Sequence, residues 1–231
     1  MLQLIRLFRL VFTAQILIVI SIYCSFANAT ALKYRSLTQL ANAADAIMIA
    51  SVDAISSQRM ANGAIVSFVT LADLNLIRGT YDQEQLTLVI HGGEVDGLVQ
   101  RIQGVPQFSI TQQVILFLQG NGERMVPISG WGQGMFIINN GLIYDYQGNP
   151  VTSINNDRIT INRLKPADVV LVNAPKNLPA NKDLAAISVA SFLNQIKQLP
   201  HNQTAKPVQS IDKATYSPSS LRVNKARLIE Q

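Results

Sequence analysis

The stretch Val66–Leu76, VSFVTLADLNL, decides the fold class of this chain. Its apolar and small residues recur at every second position, with polar Ser67 and Asp73 on the opposite side. A period of two is typical of a β-strand with one buried face, and apolar Val69 and Leu71 indicate that both faces are partly covered in its middle. A strand of about 12 residues is longer than the usual five or six and is typical of a coiled barrel.

Further short strands surround this one and are separated by turn residues. The sequence predicts them at Asp45–Ser56, Gln85–Ile90, Val114–Leu118, Arg124–Ile128, Met135–Ile138 and Leu142–Tyr146. Asn-Gly pairs accept a positive φ at little cost, so turns are predicted at residues 61–63, 121–122 and 139–141. Short strands at this spacing favour an all-β barrel or sandwich.

Two helices are predicted at the ends of the strand-rich region. Ser36 is typical of an N-cap before a helix over Leu37–Ala44, and Asp183 of one before a helix over Leu184–Leu199. The chain from His201 onward is polar and contains few large apolar residues, so we expect it to be disordered. The predicted segments are an export signal (1–29), a β-barrel domain (30–165), a linker (166–182), a helix (183–200) and a disordered basic tail (201–231).

The first 29 residues have the organisation of an export signal. A basic opening precedes an apolar run from Leu10 to Tyr23, and Ala27-Asn28-Ala29 offers small residues where a signal peptidase cleaves. The apolar run is shorter than the roughly 20 residues that a membrane-spanning helix needs. We therefore expect cleavage after Ala29 and a periplasmic or extracellular protein; an uncleaved anchor and lipidation at Cys24 are the alternatives.

The distribution of charged residues and the single cysteine indicate which kinds of partner and ligand the chain is expected to bind. The chain carries a net charge of +5, but residues 30–200 hold equal numbers of basic and acidic side chains, and the excess lies in the signal and the tail. A nucleic-acid-binding domain concentrates Lys and Arg on itself, so no nucleic-acid partner is expected. Cys24 is the only cysteine, so a chain cleaved after Ala29 has neither a disulfide nor a thiolate ligand. No cofactor is expected, membrane contact is expected only through the export signal, and the oligomeric state stays open.

Six short motifs carry a resemblance to known proteins. They are Ala44-Asp45-Ala46-Ile47, Ile77-Arg78-Gly79, Gly92-Gly93-Glu94, Val105-Pro106-Gln107-Phe108, Val114–Leu118 and Gly134-Met135-Phe136. This pattern resembles small exported bacterial proteins of unassigned activity, and its strand order is similar to netrin-like and metalloproteinase-inhibitor domains. The resemblance implies a five-stranded, OB-like Greek-key barrel. Together with the two helices predicted above, the expected fold is mainly β: an OB-like Greek-key barrel with a short N-terminal helix and one C-terminal helix. Those inhibitors reach the catalytic metal through an N-terminal cysteine that the mature chain lacks, so no inhibitory residue carries over.

One group of side chains has the chemistry of metal ligands. His91, Glu94 and Asp96 lie within six positions of a Gly-rich segment, and local loops can supply converging ligands. The alternative, which we favour, is a solvated β-turn without a metal. Glu94 and Asp96 also form the carboxylate pair that an acid–base hydrolase would need, provided that they converge in a cleft.

A second candidate site is the loop Gly130-Trp131-Gly132. An exposed aromatic side chain between two glycines can bind a sugar or a partner protein. The alternative is a tryptophan folded over the end of the barrel. A strand is predicted after the loop, whereas a phosphate-binding loop is followed by a helix, so phosphate binding is not expected.

The candidate functions follow from these residues. The leading hypothesis is an exported, non-enzymatic binding domain for a protein partner, with an extracytoplasmic protease as a candidate by analogy of fold alone. The alternatives are an envelope hydrolase that uses Glu94 and Asp96 and a glycan-binding module centred on Trp131.

Overall fold

The structure is a computed structural model and describes residues 15, 31–164, 170–172, 185–200 and 205–217. The chain divides into two units, Met1–Thr30 and Ala31–Gln231, and the fold below belongs to the second. Apart from Gln15, the predicted export signal lies outside the described residues. Within the described ranges, no helix combines the length and the apolar character needed to cross a bilayer.

The protein is mainly β, as the alternating sequence predicts. The described strands are β1 (Ala31–Lys33), β2 (Ala46–Arg59), β3 (Ile65–Arg78), β4 (Leu86–His91), β5 (Gly93–Val95), β6 (Leu98–Gln100), β7 (Gln113–Leu118), β8 (Met135–Asn139), β9 (Leu142–Asp145), β10 (Val151–Asn155), β11 (Arg158–Ile161) and β12 (Val170–Val172). The helices are α1 (Leu37–Ala43) and α2 (Val189–Gln198), with a 3-10 helix at Trp131–Gly134.

Six strands form one antiparallel sheet in the order β4-β3-β2-β7-β8-β9. The remaining strands pair as β5–β6 and β10–β11, which are antiparallel, and β1–β12, which is parallel. No ladder among the described strands joins β4 to β8 or β9. The described pairing therefore gives a large antiparallel sheet, as expected for a mainly β fold, without a ladder among the described strands that closes it into the OB-like barrel.

The outer edge of β4 is hydrogen-bonded to residues that belong to no strand, and this explains why no further described strand pairs with β4. The backbone N–H of Thr87 donates to Ser210 Oγ at 2.9 Å, and the N–H of His91 donates to the carbonyl of Met125 at 2.9 Å. The side-chain oxygen of Asn121 accepts from the N–H of Val89 at 3.1 Å. These groups use the hydrogen-bonding positions that a closing strand would need.

A bulge in β3 changes which face its residues occupy. Val66 and Phe68 pack into one apolar cluster, whereas Val69 and Leu74 pack into another. Asp73 has a φ of +52°, and the register with β2 shifts at this point. The prediction that Val66 and Leu74 share a face is therefore wrong, because one extra residue at a bulge reverses the alternation.

The core lies on both sides of the sheet. The front core contains Met48, Val69, Leu71, Leu86, Leu88, Ile90, Val114, Leu116 and Leu118 among others, and the rear core contains Leu37, Leu40, Ile47, Ile115, Phe117, Phe136, Phe192 and Ile196 among others. Alternate residues of β7 contribute to both, and β7 pairs with β2 and β8. This arrangement confirms the prediction that the continuous apolar run Val114–Leu118 is a central strand.

Both helices are fixed at their ends by specific polar contacts. The N-cap Ser36 forms a capping box with Gln39 at the start of α1, as the sequence predicts for that N-cap. The predicted start of the second helix at Leu184 is wrong: α2 begins after Ser188, whose hydroxyl accepts from Ser191 N at 3.2 Å. The expected cap Asp183 lies outside the described residues. At the other end of α2, the Arg78 guanidinium donates to the carbonyls of Ile196, Leu199 and Pro200, as expected for a cation at a helix C-terminus.

Three predicted boundaries need correction. Residues 170–172, inside the predicted linker, form β12 on the edge of β1. Arg124–Ile128 does not form the second strand of a hairpin; Ile128 makes only an isolated bridge to Leu118. Residues 205–217, inside the predicted disordered tail, lie along the sheet, where Ile211 and Tyr216 pack on Met60, Val66, Phe68 and Val89. We call this apolar group the edge cluster.

Candidate functional site

A cavity of about 250 Å³ lies against the front face of the sheet. Its sheet side is formed by Ile55, Val69 and Ile90, and the hairpin β5–β6 and the loop over residues 101–108 form the rest of its wall. Ile102, Val105, Pro106 and Phe108 supply apolar side chains from this loop. The cavity is therefore lined by apolar side chains from the sheet and the loop together with a polar lining of similar extent.

Two glycines and one aspartate allow the hairpin β5–β6 to fold over the sheet. Asp96 and Gly97 have φ values of +51° and +75°, as a tight two-residue hairpin turn requires. A Cβ added to Gly93 would lie 2.3 Å from Ser67 Oγ and 2.6 Å from Ser57 Oγ. Glycine at position 93 therefore permits the close approach of this hairpin, and it belongs to the Gly92-Gly93-Glu94 motif.

The serine hydroxyls that border the cavity form a relay with a defined direction. Ser67 Oγ donates to the carbonyl of Gly92 at 2.8 Å and lies 3.0 Å from Ser57 Oγ. A hydroxyl has one proton, so Ser67 must accept from Ser57 and Ser57 must donate. Ser57 Oγ consequently retains its lone pairs and has no proton left to give.

Gln100 completes the polar lining. Its side-chain oxygen accepts from the N–H of Ile65 at 2.7 Å, and its amide nitrogen has no hydrogen-bond partner among the described residues. Glu94 and Arg101, both exposed, also line the cavity without a described ion pair. The two charges are opposite, so the lining is electrically balanced.

The three suggested metal ligands are not brought together. His91 pairs with Val66 across the ladder and so shares its face, which is opposite to that of Ser67 and Ile90. Glu94 and Asp96 are exposed, and Asp96 occupies the turn of the hairpin. No group of three His, Cys, Asp or Glu side chains in the described part of the chain is arranged to hold a metal ion. The hydrolase hypothesis requires both carboxylates in one cleft; Glu94 lines the cavity described above and Asp96 does not.

His91 instead is a half-buried histidine beneath an apolar surface. Its Nε2 is buried and has no hydrogen-bond partner among the described residues. Burial disfavours the imidazolium and lowers the pKa of His91 below its usual value. The neutral imidazole is therefore the form that the folded protein prefers.

We expect the stability of the protein to fall when His91 is forced to take up a proton. Below about pH 6.5 an unfolded histidine binds a proton that the folded protein resists, so the free energy of unfolding decreases as the pH falls. Urea denaturation between pH 7.5 and pH 5 measures this slope, and His91→Gln should reduce it. An unchanged slope in His91→Gln would contradict this account. Burial raises the pKa of Asp145, which acts with the opposite sign, so the comparison of the two proteins isolates the histidine.

Trp131 lies in the 3-10 helix and packs, half-buried, against the front core. The glycines around it relieve crowding: a Cβ on Gly132 would lie 2.7 Å from the Tyr146 ring, and one on Gly134 would lie 2.3 Å from the carbonyl oxygen of Ser129. Gly130 has a φ of +65°. The tryptophan is thus folded onto the core and does not stand free as an exposed platform for a sugar.

A second, much smaller cavity of about 40 Å³ lies beside Asp145, a residue that the sequence did not single out. Asp145 is buried and accepts from the backbone N–H groups of Gln147 and Asn149 at 2.9 and 2.7 Å. Burial raises its pKa in spite of these hydrogen bonds and of nearby Arg163. The cavity has room for about one water molecule, so we assign this group a role in holding the turn over residues 145–150.

Comparisons with protein families, with curated proteins and with solved structures find no match to this chain. The fold and the site define a mainly β protein with a large antiparallel sheet and a lined cavity under a hairpin. The resemblance to exported netrin-like domains stays a prediction from the sequence motifs.

Proposed function

We propose that the mature chain is an exported, non-enzymatic binding domain that contacts a protein partner through the hairpin β5–β6. The observation that carries the proposal is the exposure of Leu98 and Val99, which are 52% and 55% accessible. Leu98 and Val99 follow each other along β6, so they lie on opposite faces of the hairpin, and Val99 also lines the cavity. Exposed large aliphatic side chains can mark a surface that a partner covers. The hairpin stands outside the six-stranded sheet, so β6 has only β5 as a neighbour among the described strands.

The other two candidate functions receive less support from the geometry. A hydrolase would need Glu94, Asp96 and His91 around one cleft, and a glycan platform would need a free Trp131. The hairpin, in contrast, presents apolar side chains beside the exposed charges of Glu94 and Arg101. An apolar centre with a charged border is the usual composition of a protein interface.

The test compares two double variants of the mature domain as baits in an envelope extract. Leu98→Ser with Val99→Ser should abolish recovery of any partner that the wild-type domain enriches, because the apolar contact is lost. The matched control is Leu164→Ser with Ile110→Ser. These two aliphatic residues lie outside the hairpin and are 47% and 59% accessible, respectively. Their replacement should leave recovery of the partner unchanged.

Equal recovery by both double variants, or no enrichment by the wild-type domain, would refute the proposal. A protease among the partners that depend on Leu98 and Val99 would also support the candidate suggested by analogy of fold. Circular dichroism of each variant establishes that the baits are folded.

A further inference from the structure

We infer that the 250 Å³ cavity is a binding site for a small, neutral, mainly apolar molecule whose one polar group donates a hydrogen bond, as a phenol or an alcohol does. This inference concerns the cavity beneath the hairpin, which Val99 also lines and Leu98 does not, and it does not require the proposed protein partner. It rests on the volume of the cavity, the direction of the hydroxyl relay and the balance of charges.

Volume sets the size of the ligand. A dry protein cavity of about 150 Å³ accommodates benzene, so about 250 Å³ accommodates a singly substituted ring of about ten heavy atoms. The apolar walls lie on two sides, with Ile55, Val69 and Ile90 facing the loop residues Val105 and Phe108. These side chains can contact a hydrocarbon body, while Ser57 and Gln100 contribute polar groups to the lining.

The relay sets the polarity of the ligand's head group. Ser57 donates its proton to Ser67, which donates to Gly92, so Ser57 Oγ can only accept a further hydrogen bond. A ligand group that only accepts, such as a carboxylate or an ether oxygen, would face these lone pairs without a proton between them. A hydroxyl satisfies Ser57 as a donor and can also accept from the side-chain amide nitrogen of Gln100, which has no hydrogen-bond partner among the described residues.

The charges disfavour an ionic ligand. Glu94 and Arg101 are the charged side chains among the lining residues, and their charges cancel. His91 also borders the cavity, but it pairs with Val66 in the ladder, which places its side chain on the face opposite to Ile90, and burial lowers its pKa. An ion of either sign would meet one attractive and one repulsive charge at the border of the cavity, and this does not offset the hydration that it loses on entry.

The experiment titrates the mature domain with four probes of nearly equal shape and follows its backbone amide resonances by NMR. The probes are 4-ethylphenol, 4-ethylanisole, 4-ethylbenzoate and ethylbenzene. We expect saturable binding of 4-ethylphenol with shifts in β5–β6 and at residues 101–108. Affinity should be at least about fivefold weaker for 4-ethylanisole, which lacks the donor, and weaker still for the anion.

Two variants locate the site and its polar contact. Ser57→Ala should lower the affinity for 4-ethylphenol two- to tenfold and remove the preference for it over 4-ethylanisole. Ser56→Ala changes the neighbouring serine of β2, whose Oγ accepts from Lys213 Nζ on the other face, and should change neither. Ile55→Phe should weaken all four probes by occupying the cavity.

The outcomes separate cleanly. No saturable shift with 4-ethylphenol, equal affinities for phenol and anisole, or equal effects of Ser57→Ala and Ser56→Ala would each overturn the inference. If Ile55→Phe fails to fold, the comparison of the two serine variants still decides. A domain that binds 4-ethylphenol but recovers no partner would refute the proposed function and leave this site in place.

Discussion

A chain that ends at residue 204 is expected to be less stable by about 2–4 kcal/mol than the complete mature chain and to self-associate. The segment over residues 205–217 crosses the outer edge of β4 and covers the edge cluster. Its removal uncovers Phe68, which is 2% accessible in the structure, together with Val66 and Val89. The expected loss of stability is the sum of two effects. The apolar contacts of Ile211 and Tyr216, both half-buried, are lost, and so are the hydrogen bonds of the segment.

The contacts of this segment show why it protects an edge strand. The N–H of Thr87 donates to Ser210 Oγ, and the carbonyl of Thr87 accepts from the N–H of Ile211 at 3.1 Å. Tyr216 stacks edge-on against Phe68, with ring centroids 5.8 Å apart. Without the segment, the N–H of Thr87 and the apolar cluster beside it would be available to a second molecule, and open strand edges of this kind direct aggregation.

Light scattering after gel filtration and urea denaturation measure the two effects. The control ends at Ser217, which retains all of the described segment 205–217, and it should keep the stability and the monomeric state that this segment provides. A second control, Ile211→Ala with Tyr216→Ala, should lose part of the stability and keep Ser210 on the strand. A monomeric truncated chain of unchanged stability would show that the segment does not protect β4.

Local patterns predicted the central part of the fold. The unbroken apolar run of β7 needs both faces buried, so its central position follows from residues 114–118 alone. The Ser36 cap and the turn at Asn139-Asn140-Gly141 are likewise local, and the structure contains both. Each of these features depends on neighbours within a few positions.

The covered edge of β4 depends on contacts that no local pattern reveals. Asn121 marked a turn in the sequence, yet its side chain bonds Val89, Thr87 and Gln209, the last of these 88 positions away. The tail has few apolar residues and a composition typical of disorder, and only its register with β4 brings Ile211 onto the edge cluster. Low hydrophobicity alone therefore gave the wrong expectation for residues 205–217.

The cavity was missed for a related reason. The Asp96-Gly97 pair is a hairpin signal that could have indicated β5–β6, but no spacing shows that this hairpin folds back over Ser57 and Ser67. The bulge at Asp73 reverses the alternation of β3, so the face on which a given side chain lies could not be read from a period of two. The three local candidates His91, Glu94 and Asp96 were close in sequence but are separated by the two faces of a strand and an exposed turn.

Gly79 is the last residue of the Ile77-Arg78-Gly79 motif, and Gly79→Ala is expected to destabilise the protein by at least about 3 kcal/mol. Gly79 has a φ of +94°, which an alanine adopts only with strain. An added Cβ would also lie 2.5 Å from the carbonyl oxygen of Asp45 and 2.8 Å from the Cα of Ala46. Both obstacles are backbone atoms at the start of β2, so relief requires that β2 and β3 move apart.

A matched substitution separates the two causes. Gly63 has a φ of +83°, and a Cβ placed there would meet no atom within 4 Å. Gly63→Ala should therefore cost only the conformational strain, about 1–2 kcal/mol, and the difference between the variants measures the backbone clash. Urea denaturation of both variants gives this difference, and hydrogen exchange should show faster exchange around Arg78 and α2 only in Gly79→Ala. Equal losses of stability in the two variants would mean that β2 moves away from the added Cβ without a cost in free energy. Gly79 would then be required only for its positive φ.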